Sequence, residues 1–187
     1  MKHIYFFSGP CGCGKSTLAD AWAKHLVNNA GKRQVYVIHG DDFHAGFVEP
    51  DAKGDFFVDG LPGDSLAWEQ ILEFNWACII DVADKALARG LDVVIDYVIE
   101  EELPLVKALA KKHGAQLHYA VVTADEGAIR RRITQRGDVD MIDRAIFLKH
   151  KLENMPENQG HLLDNTALAV AEEIALAGDE RFIVNNL

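Results

Sequence analysis

The sequence predicts an α/β fold in which five parallel strands form the middle layer of three and helices cover both faces of the sheet. Short apolar runs alternate with helical patterns five times along the chain, as in parallel sheets. A glycine-rich loop, Gly9–Ser16, follows the first apolar run, and the third run ends in the acid Asp96. Loop and acid are the two halves of a phosphate-site pattern, so their strands should be neighbours. We therefore predict the strand order 2-3-1-4-5, with the first strand central.

The length of 187 residues indicates one domain over residues 1–187. Hydrophobic residues make up 49% and charged residues 26%, as in soluble globular proteins with a full core. No apolar run is long enough to cross a bilayer, and the N-terminus enters the first strand without a signal peptide, so we expect a cytoplasmic protein.

The net charge of −10 argues against broad contact with nucleic acid. Monomer and homodimer are both compatible with the sequence.

The loop fits the pattern G-x-x-x-x-G-K-[ST] at every fixed position. The apolar run His3–Phe7 precedes it, and apolar residues at helical spacing follow from Lys15 to about Asn29. Backbone N–H groups of such a loop curl around a phosphate chain. Lys15 would reach the β- and γ-phosphates, and the Ser16 hydroxyl would bind Mg²⁺. The predicted nucleotide-binding residues here are Gly9, Cys11, Gly12, Cys13, Gly14, Lys15, Ser16 and Thr17. The alternative is a glycine-rich turn that binds nothing.

Two cysteines lie inside this loop. Cys11 and Cys13 could form a redox switch, because a thiol beside Lys15 and a helix N-terminus can have a lowered pKa. The simpler interpretation, which we favour, is that cysteine is a small residue suited to the loop.

The second strand, Val35–Ile38, is followed by Gly40-Asp41-Asp42-Phe43-His44. In an open parallel sheet, ligands bind where strands end. Asp41 and Asp42 are therefore candidates to hold a substrate hydroxyl and accept its proton. Alternatively, one of them caps the next segment.

A long loop, 45–63, then follows, and a segment at about 43–64 is predicted to build an acceptor pocket or a mobile lid. The alternative is a flexible insertion that happens to be aromatic. A helix is predicted from Asp64 or Ser65 to Gly90. We expect Trp68 and Trp76 on this helix to be core residues rather than ligand-stacking ones.

The third strand, Asp92–Asp96, ends in the acid that we expect to bind Mg²⁺, often through water. Glu100–Glu102 precede a helix that runs to about His113. These glutamates are predicted to form a solvated face and not a metal site, because acids suit a helix start.

The fourth strand, Leu117–Val122, leads into an arginine-rich helix at about 125–140. Arg132 and Arg136 are four residues apart and lie on one helical face, which favours an anion site because Arg contacts phosphate bidentately. The alternative is a surface helix paired with nearby acids. The remaining predicted elements are a helix over 138–154, a fifth strand over 160–165, a last helix over 166–177 and a closing segment over 181–184.

Taken together, the sequence resembles the small P-loop kinases: gluconate, shikimate and nucleoside kinases and chloramphenicol phosphotransferase-like enzymes. Gly9–Thr17 matches their phosphate loop, and 40–44 resembles their acceptor-binding segment. Ile129-x-x-Arg132-x-x-x-Arg136 resembles their lid helix, and 163–166 the segment near adenine. Two features depart from single families: Ala45 stands where gluconate kinases have proline, and Tyr97-Val98 follow Asp96 where adenylate-type kinases have Asp-Gly-x-Pro-Arg.

The resemblance implies a three-layer P-loop NTPase fold and transfer of the γ-phosphoryl of ATP to a small-molecule hydroxyl with Mg²⁺. Lys15, Arg132 and Arg136 would neutralise charge. Asp41 or Asp42 would orient or deprotonate the acceptor, and Asn165 would lie near the nucleotide base. Three alternatives stay open: an ATPase without an acceptor, a polynucleotide 5′-end kinase, and a nucleotide-binding module without turnover. The guanine-reading Asn-Lys-x-Asp motif is missing, which counts against a GTP switch.

Overall fold

Six α-helices and seven strands make up the described part of the computed structural model, which covers residues 1–29, 33–47, 57–58, 61–62 and 67–187. The strands are β1 (His3–Ser8), β2 (Val35–His39), β3 (Phe57–Val58), β4 (Leu61–Pro62), β5 (Asp92–Asp96), β6 (Gln116–Thr123) and β7 (Leu162–Asp164). The helices are α1 (Lys15–Asn28), α2 (Trp68–Ala88), α3 (Leu103–His113), α4 (Glu126–Arg136), α5 (Ile142–Asn154) and α6 (Val170–Ala177). Short 3₁₀ turns cover Gly40–Gly46, Val139–Met141, Pro156–Asn158 and Glu180–Phe182.

Five parallel strands form one sheet in the order β2-β5-β1-β6-β7. Numbered among themselves along the chain, these strands have the predicted order 2-3-1-4-5, with the first strand central. Phe7 of β1 is in register with Asp96 of β5. The glycine-rich loop that follows β1 therefore begins beside the acid that ends β5. Strands β3 and β4 form a separate antiparallel pair.

Each face of the sheet packs against its own helices, because successive strand residues point to opposite sides. Ile4 and Phe6 join the core formed with α2 and α3. Tyr5 and Phe7 join the core formed with α1 and α6. The fully buried ring of Phe6 stacks on Trp76 at a centroid distance of 5.8 Å. Burying one such side chain contributes about 1.5–3 kcal/mol to the stability of the fold.

The arginine-rich helix α4 has defined ends. The carboxylate of Asp125 accepts a hydrogen bond of 2.6 Å from the backbone N–H of Ala128, as an N-cap does. At the other end Gly137 takes a φ of +89°, the left-handed conformation that commonly ends a helix.

Within the described ranges, no helix combines the length and the apolar character that crossing a membrane requires.

Several element bounds differ from the prediction. The last helix begins at Val170 rather than Thr166, because the N–H and hydroxyl of Thr166 donate to the carboxylate of Asp164 in a turn. The helix predicted from 138 begins as the 3₁₀ turn Val139–Met141, and α5 follows it. The predicted helix start at Asp64 or Ser65 and most of the 43–64 segment lie outside the described residues.

Candidate active site

A cavity of about 1530 Å³ lies where the parallel strands end, the edge at which open α/β sheets bind ligands. The loop after β1, the turn after β2, the segment after β5 and parts of the helices form its walls. Cys13, Asp42 and Asp96 are not among the described lining residues. The predicted site residues that line it are Gly9, Cys11, Gly12, Gly14, Lys15, Ser16, Thr17, Asp41, Arg132, Arg136 and Asn165.

The glycine-rich loop has a shape that requires glycine at two tight points. Gly9 has a φ of +147° and Gly14 a φ of +101°. A Cβ atom on Gly9 would lie 2.3 Å from the carbonyl oxygen of Val122, and one on Gly14 would lie 2.4 Å from Nδ2 of Asn165. Both the backbone conformation and the close approach therefore exclude a side chain.

Lys15 brings a buried cation to the cavity. Its side chain is 11% exposed, and its Nζ lies 3.8 Å from Oδ2 of Asp41, whose side chain is 63% exposed. Burial alone would lower the pKa of Lys15, but Asp41, Cys13 and Asp96 outweigh this effect and raise it. Lys15 is therefore charged at neutral pH, and the exposed carboxylate beside it can reach a bound molecule.

Asp96 is fixed on two sides at the end of β5. Its Oδ2 accepts a hydrogen bond of 2.5 Å from the Ser16 hydroxyl, and its Oδ1 is hydrogen-bonded to Nδ1 of His39. The second nitrogen of His39 lies 3.4 Å from Oδ1 of Asp20. Burial would lower the pKa of His39, but Asp96 and Asp20 raise it. Burial raises the pKa of Asp96, and Ser16, Lys15 and His39 partly oppose this effect.

Ser16 and Asp96 fit a magnesium ion that is shared with phosphate oxygens. Magnesium prefers oxygen ligands and usually binds proteins through one or two carboxylates, together with water and substrate phosphates. In the described ranges, no group of three or more His, Cys, Asp or Glu side chains could hold a metal ion without such help. One hydroxyl and one buried carboxylate beside a phosphate loop therefore match a nucleotide-bound ion better than a metal site made by protein alone.

Arg132 and Asn165 hold the glycine-rich loop from one side. The Arg132 guanidinium donates to the carbonyl oxygens of Gly12 and Cys13, at 3.3 Å each, and to that of Asn165 at 2.8 Å. Asn165 donates from Nδ2 to the Cys13 carbonyl oxygen at 2.9 Å. Helix α4 and the segment after β7 therefore both contact the loop backbone.

Arg136 lies one helical turn further on and also lines the cavity. Its Nη2 donates to Sγ of Cys11 at 2.7 Å, and its Nε lies 3.3 Å from a carboxylate oxygen of Asp138. The ion pair with Asp138 was the alternative that the sequence left open. Because the pair stands on the cavity wall, it is compatible with a role toward phosphate.

Cys13 is the fully buried cysteine of the glycine-rich loop. Burial raises the pKa of its thiol to about 11, so the thiol is protonated at neutral pH. The three cysteines Cys11, Cys13 and Cys78 are free thiols. A protonated, buried thiol favours the small-residue interpretation at Cys13.

A polar network lies close to Asp41. The hydroxyl of Tyr97 is 2.8 Å from Nε2 of His44 and accepts a hydrogen bond from Nδ2 of Asn75 at 3.3 Å. Burial lowers the pKa of His44, so its imidazole is neutral at neutral pH and one of its ring nitrogens can accept the proton of Tyr97. A Cβ atom on Gly40 would lie 2.4 Å from the Tyr97 ring, so glycine makes room for the network.

The prediction of a solvated face at Glu100–Glu102 is wrong for Glu100. This residue lines the cavity, and its two carboxylate oxygens accept hydrogen bonds of 2.6 Å each from Arg144 and Lys151. Helix α5, which is distant in sequence, supplies both cations. Glu102 caps the chain locally, because its Oε2 accepts from the backbone N–H groups of Glu100 and Glu101.

Trp76 is a core residue as predicted, but Trp68 is not. Trp68 lines the cavity, and its ring meets the ring of His44 at 5.6 Å and 88°. The reason is length: α2 has 21 residues, about 31 Å, whereas a five-residue strand spans about 17 Å. The first turn of α2 therefore extends past the core to the cavity.

A model of the AAA domain family AAA_33 matches residues 4–158. The chain belongs to this family. No curated protein matches the sequence of this AAA domain.

Solved structures resemble this AAA domain over nearly its whole length. The Mycobacterium tuberculosis APS kinase CysC, in complex with AMPPNP and APS, is 17% identical with a TM-score of 0.65, covering 94% of both chains. A gluconokinase from Sinorhizobium meliloti 1021 is 17% identical with a TM-score of 0.57, covering 94% of this chain and 89% of that one. A chain of the Pnkp1/Rnl/Hen1 RNA repair complex is 17% identical with a TM-score of 0.54, covering 83% and 46%. These similarities establish the fold, and the predicted P-loop fold and kinase resemblance are confirmed.

Sequence reasoning missed several residues at the site of this AAA domain. His39 had a usable signal, because it ends β2 in register with Asp96 at the end of β5. His44 belongs to the predicted acceptor-binding segment 40–44 but was given no role of its own. Its partners Asn75 and Tyr97 come from two distant segments, and their spacing carried no common pattern.

Proposed function

We propose that this AAA domain is an ATP-dependent phosphotransferase that moves the γ-phosphoryl group of ATP to a hydroxyl of a small molecule. The observation that carries the proposal is the pairing of Lys15 in the phosphate loop with the exposed carboxylate of Asp41, 3.8 Å away in the same cavity. At about 1530 Å³ the cavity exceeds the roughly 300–1,000 Å³ of a typical single-ligand pocket, which suits a nucleotide and an acceptor together.

The donor half of the active site, which would bind ATP, would be formed by the glycine-rich loop. Lys15 would bind the β- and γ-phosphates, with Arg132 and Arg136 contributing positive charge from α4. Asn165, which lines the cavity and contacts the loop, would lie toward the base end of the nucleotide. Ser16 and Asp96 would hold Mg²⁺, which when bound neutralises phosphate charge.

The transfer step would rely on positioning and electrostatics. The acceptor oxygen forms a bond to the γ-phosphorus while the bond from that phosphorus to the bridging oxygen breaks, and the electron pair leaves with ADP. The hydroxyl proton passes to the carboxylate of Asp41. Lys15 stabilises negative charge that develops on the phosphate oxygens.

Of the two acids after β2, we assign the acceptor role to Asp41. Its carboxylate lines the cavity beside Lys15. Asp42 is exposed and is not among the described lining residues. Its negative charge helps to raise the pKa of His39 instead.

Two other functions would use the same donor half. An ATPase without an acceptor would hydrolyse ATP at a rate that no alcohol changes. A polynucleotide 5′-end kinase would bind its substrate with a steep salt dependence. The net charge of −10 disfavours such binding to nucleic acid.

A cytoplasmic location is part of the proposal, because ATP is the donor and the cysteines are free thiols.

The test is ADP formation from Mg-ATP across a panel of sugars, sugar acids, nucleosides and aromatic alcohols. We expect one acceptor class to stimulate turnover and Lys15→Ala to lower the stimulated rate by about 100-fold or more. Lys24→Ala, which removes an exposed lysine from the same helix, is the matched control and should keep the wild-type rate. A hydrolysis rate that is the same with every acceptor would contradict the proposal.

A further inference from the structure

One part of the cavity wall, among the residues that the structure describes, carries apolar side chains from α2, the segment after β5, the turn before α5, and α5 itself. They are Trp68, Leu72, Val98, Met141 and Leu148. The hydroxyl of Tyr97 on this wall is already hydrogen-bonded to His44 and Asn75. Hydroxyl groups that face these apolar side chains would stay unpaired, and burying unpaired hydroxyls is costly.

The charges on this wall have no positive surplus among its described residues. Apart from Lys15, Arg132 and Arg136, which are proposed to bind the donor phosphates, the cation of the described lining is Arg144, and its Nη2 already donates to Glu100 at 2.6 Å. Lys151 binds the other oxygen of Glu100 and does not line this cavity. Asp41 and Asp140 add negative charge to the lining. An acceptor carboxylate would be repelled by the carboxylates of Glu100, Asp41 and Asp140, and the charge of Arg144 is already balanced by Glu100.

We propose that the acceptor is an uncharged alcohol with an apolar or aromatic ring system, and that Trp68, Leu72 and Val98 form the seat of that ring. This inference rests on the proposed phosphotransferase function and names the acceptor class of the same site. The ring seat would direct one hydroxyl to Asp41, which accepts its proton as the oxygen takes the γ-phosphoryl group. The products are a phosphomonoester and ADP.

The first test compares kcat/KM for uncharged ring alcohols, such as nucleosides and aryl diols, with that for anionic alcohols such as sugar acids. We expect at least a ~10-fold preference for the uncharged class. Trp68→Ala should raise the KM for the ring alcohol by about 10-fold and leave the KM for ATP within about twofold. Trp68→Phe, which keeps an aromatic ring, should stay within about threefold of wild type. Leu105→Ala, an exposed truncation on α3 outside the cavity, is the control.

A second measurement needs no turnover. Trp22 and Trp76 are buried, whereas Trp68 is half-buried at the cavity, so a ring alcohol should change the fluorescence of Trp68 in the presence of Mg-ADP. The change should disappear in Trp68→Phe.

The outcomes separate the two proposals. Preference for an anionic alcohol, or an acceptor KM that Trp68→Ala does not change, would overturn the ring-seat inference while the phosphotransferase function stands. If no alcohol raises ADP formation, the proposed function fails. A ring alcohol that still alters Trp68 fluorescence would then support the seat alone, and the lack of any fluorescence change would overturn it.

Discussion

The carboxylate of Asp96 shows how one side chain depends on partners from two other elements, α1 and β2. It is almost fully buried, and a buried charge without partners costs several kcal/mol. Ser16 donates to one oxygen, and His39 is bonded to the other. The same contacts orient the Ser16 hydroxyl, so the residues proposed to hold Mg²⁺ are arranged before any ligand binds.

At the other end of the strands, His118 lies in a stack of aromatic rings. Its Nε2 is 3.0 Å from Nδ1 of His3, and its ring stacks on Tyr5 at 4.4 Å. Burial, together with the neighbouring His3 and Arg33, lowers the pKa of His118 to about 4. The imidazole is therefore neutral in the folded protein at neutral pH.

We predict that stability falls as the pH drops from about 6.5 toward 4. Because the pKa of His118 is lower in the folded chain, the unfolded chain takes up the proton first. The contribution is fully present above pH 6.5 and is lost as the pH falls through about 4. Solvent screening at this partly exposed residue leaves an effect of roughly 1–2 kcal/mol.

Urea unfolding at a series of pH values checks this prediction. His118→Phe, which keeps a stacked ring, should flatten the profile between these pH values. His150→Asn, at an exposed position that pairs with Glu126, should keep the wild-type slope. Equal slopes for wild type and His118→Phe would show that His118 does not cause the effect.

At the scale of elements, the phosphate loop is held by contacts from outside its own strand and helix. Arg132 of α4 and Asn165 after β7 donate to loop carbonyl oxygens. These contacts hold the loop backbone in one conformation before a nucleotide binds. Without them, ordering the loop on binding would cost conformational entropy. Nucleotide affinity should therefore depend on a residue that need not touch the phosphates.

Asn165→Ala should weaken Mg-ADP binding by about 3–10-fold, the effect of one lost hydrogen bond of about 0.5–1.5 kcal/mol. Calorimetric titration measures the affinity, and a thermal melt shows whether the variant folds. Asn154→Ala, which removes an exposed amide bonded to a helix carbonyl, is the control and should bind like wild type. Unchanged affinity in Asn165→Ala would mean that the contact does not organise the loop.

At the scale of the molecule, the sheet order and the phosphate loop could be predicted because their signals are local. Each strand is a short apolar run, and Gly9–Ser16 carries its pattern in consecutive residues. The central position of the first strand followed from the need to bring this loop next to Asp96, and the register of Phe7 with Asp96 agrees.

The cavity wall that we propose binds the acceptor could not be predicted, because it depends on contacts between distant segments. Trp68 has helical spacing that suits a core residue, and only the length of α2 relative to the strands takes it to the cavity. Glu100 belongs to an acidic run that suits a helix start, yet Arg144 and Lys151 arrive from α5. Pattern alone does not encode such pairings.

The most direct measurement follows the γ-phosphate of radiolabelled ATP into either an organic product or inorganic phosphate, with the preferred alcohol present. Wild type should place the label on the alcohol. Asp41→Asn should lower that transfer by about 100-fold or more, the usual contribution of a general base. Asp42→Asn, the neighbouring acid outside the described lining, should stay within about threefold of wild type. Label found only in inorganic phosphate, or equal transfer by wild type and Asp41→Asn, would contradict a kinase that uses Asp41.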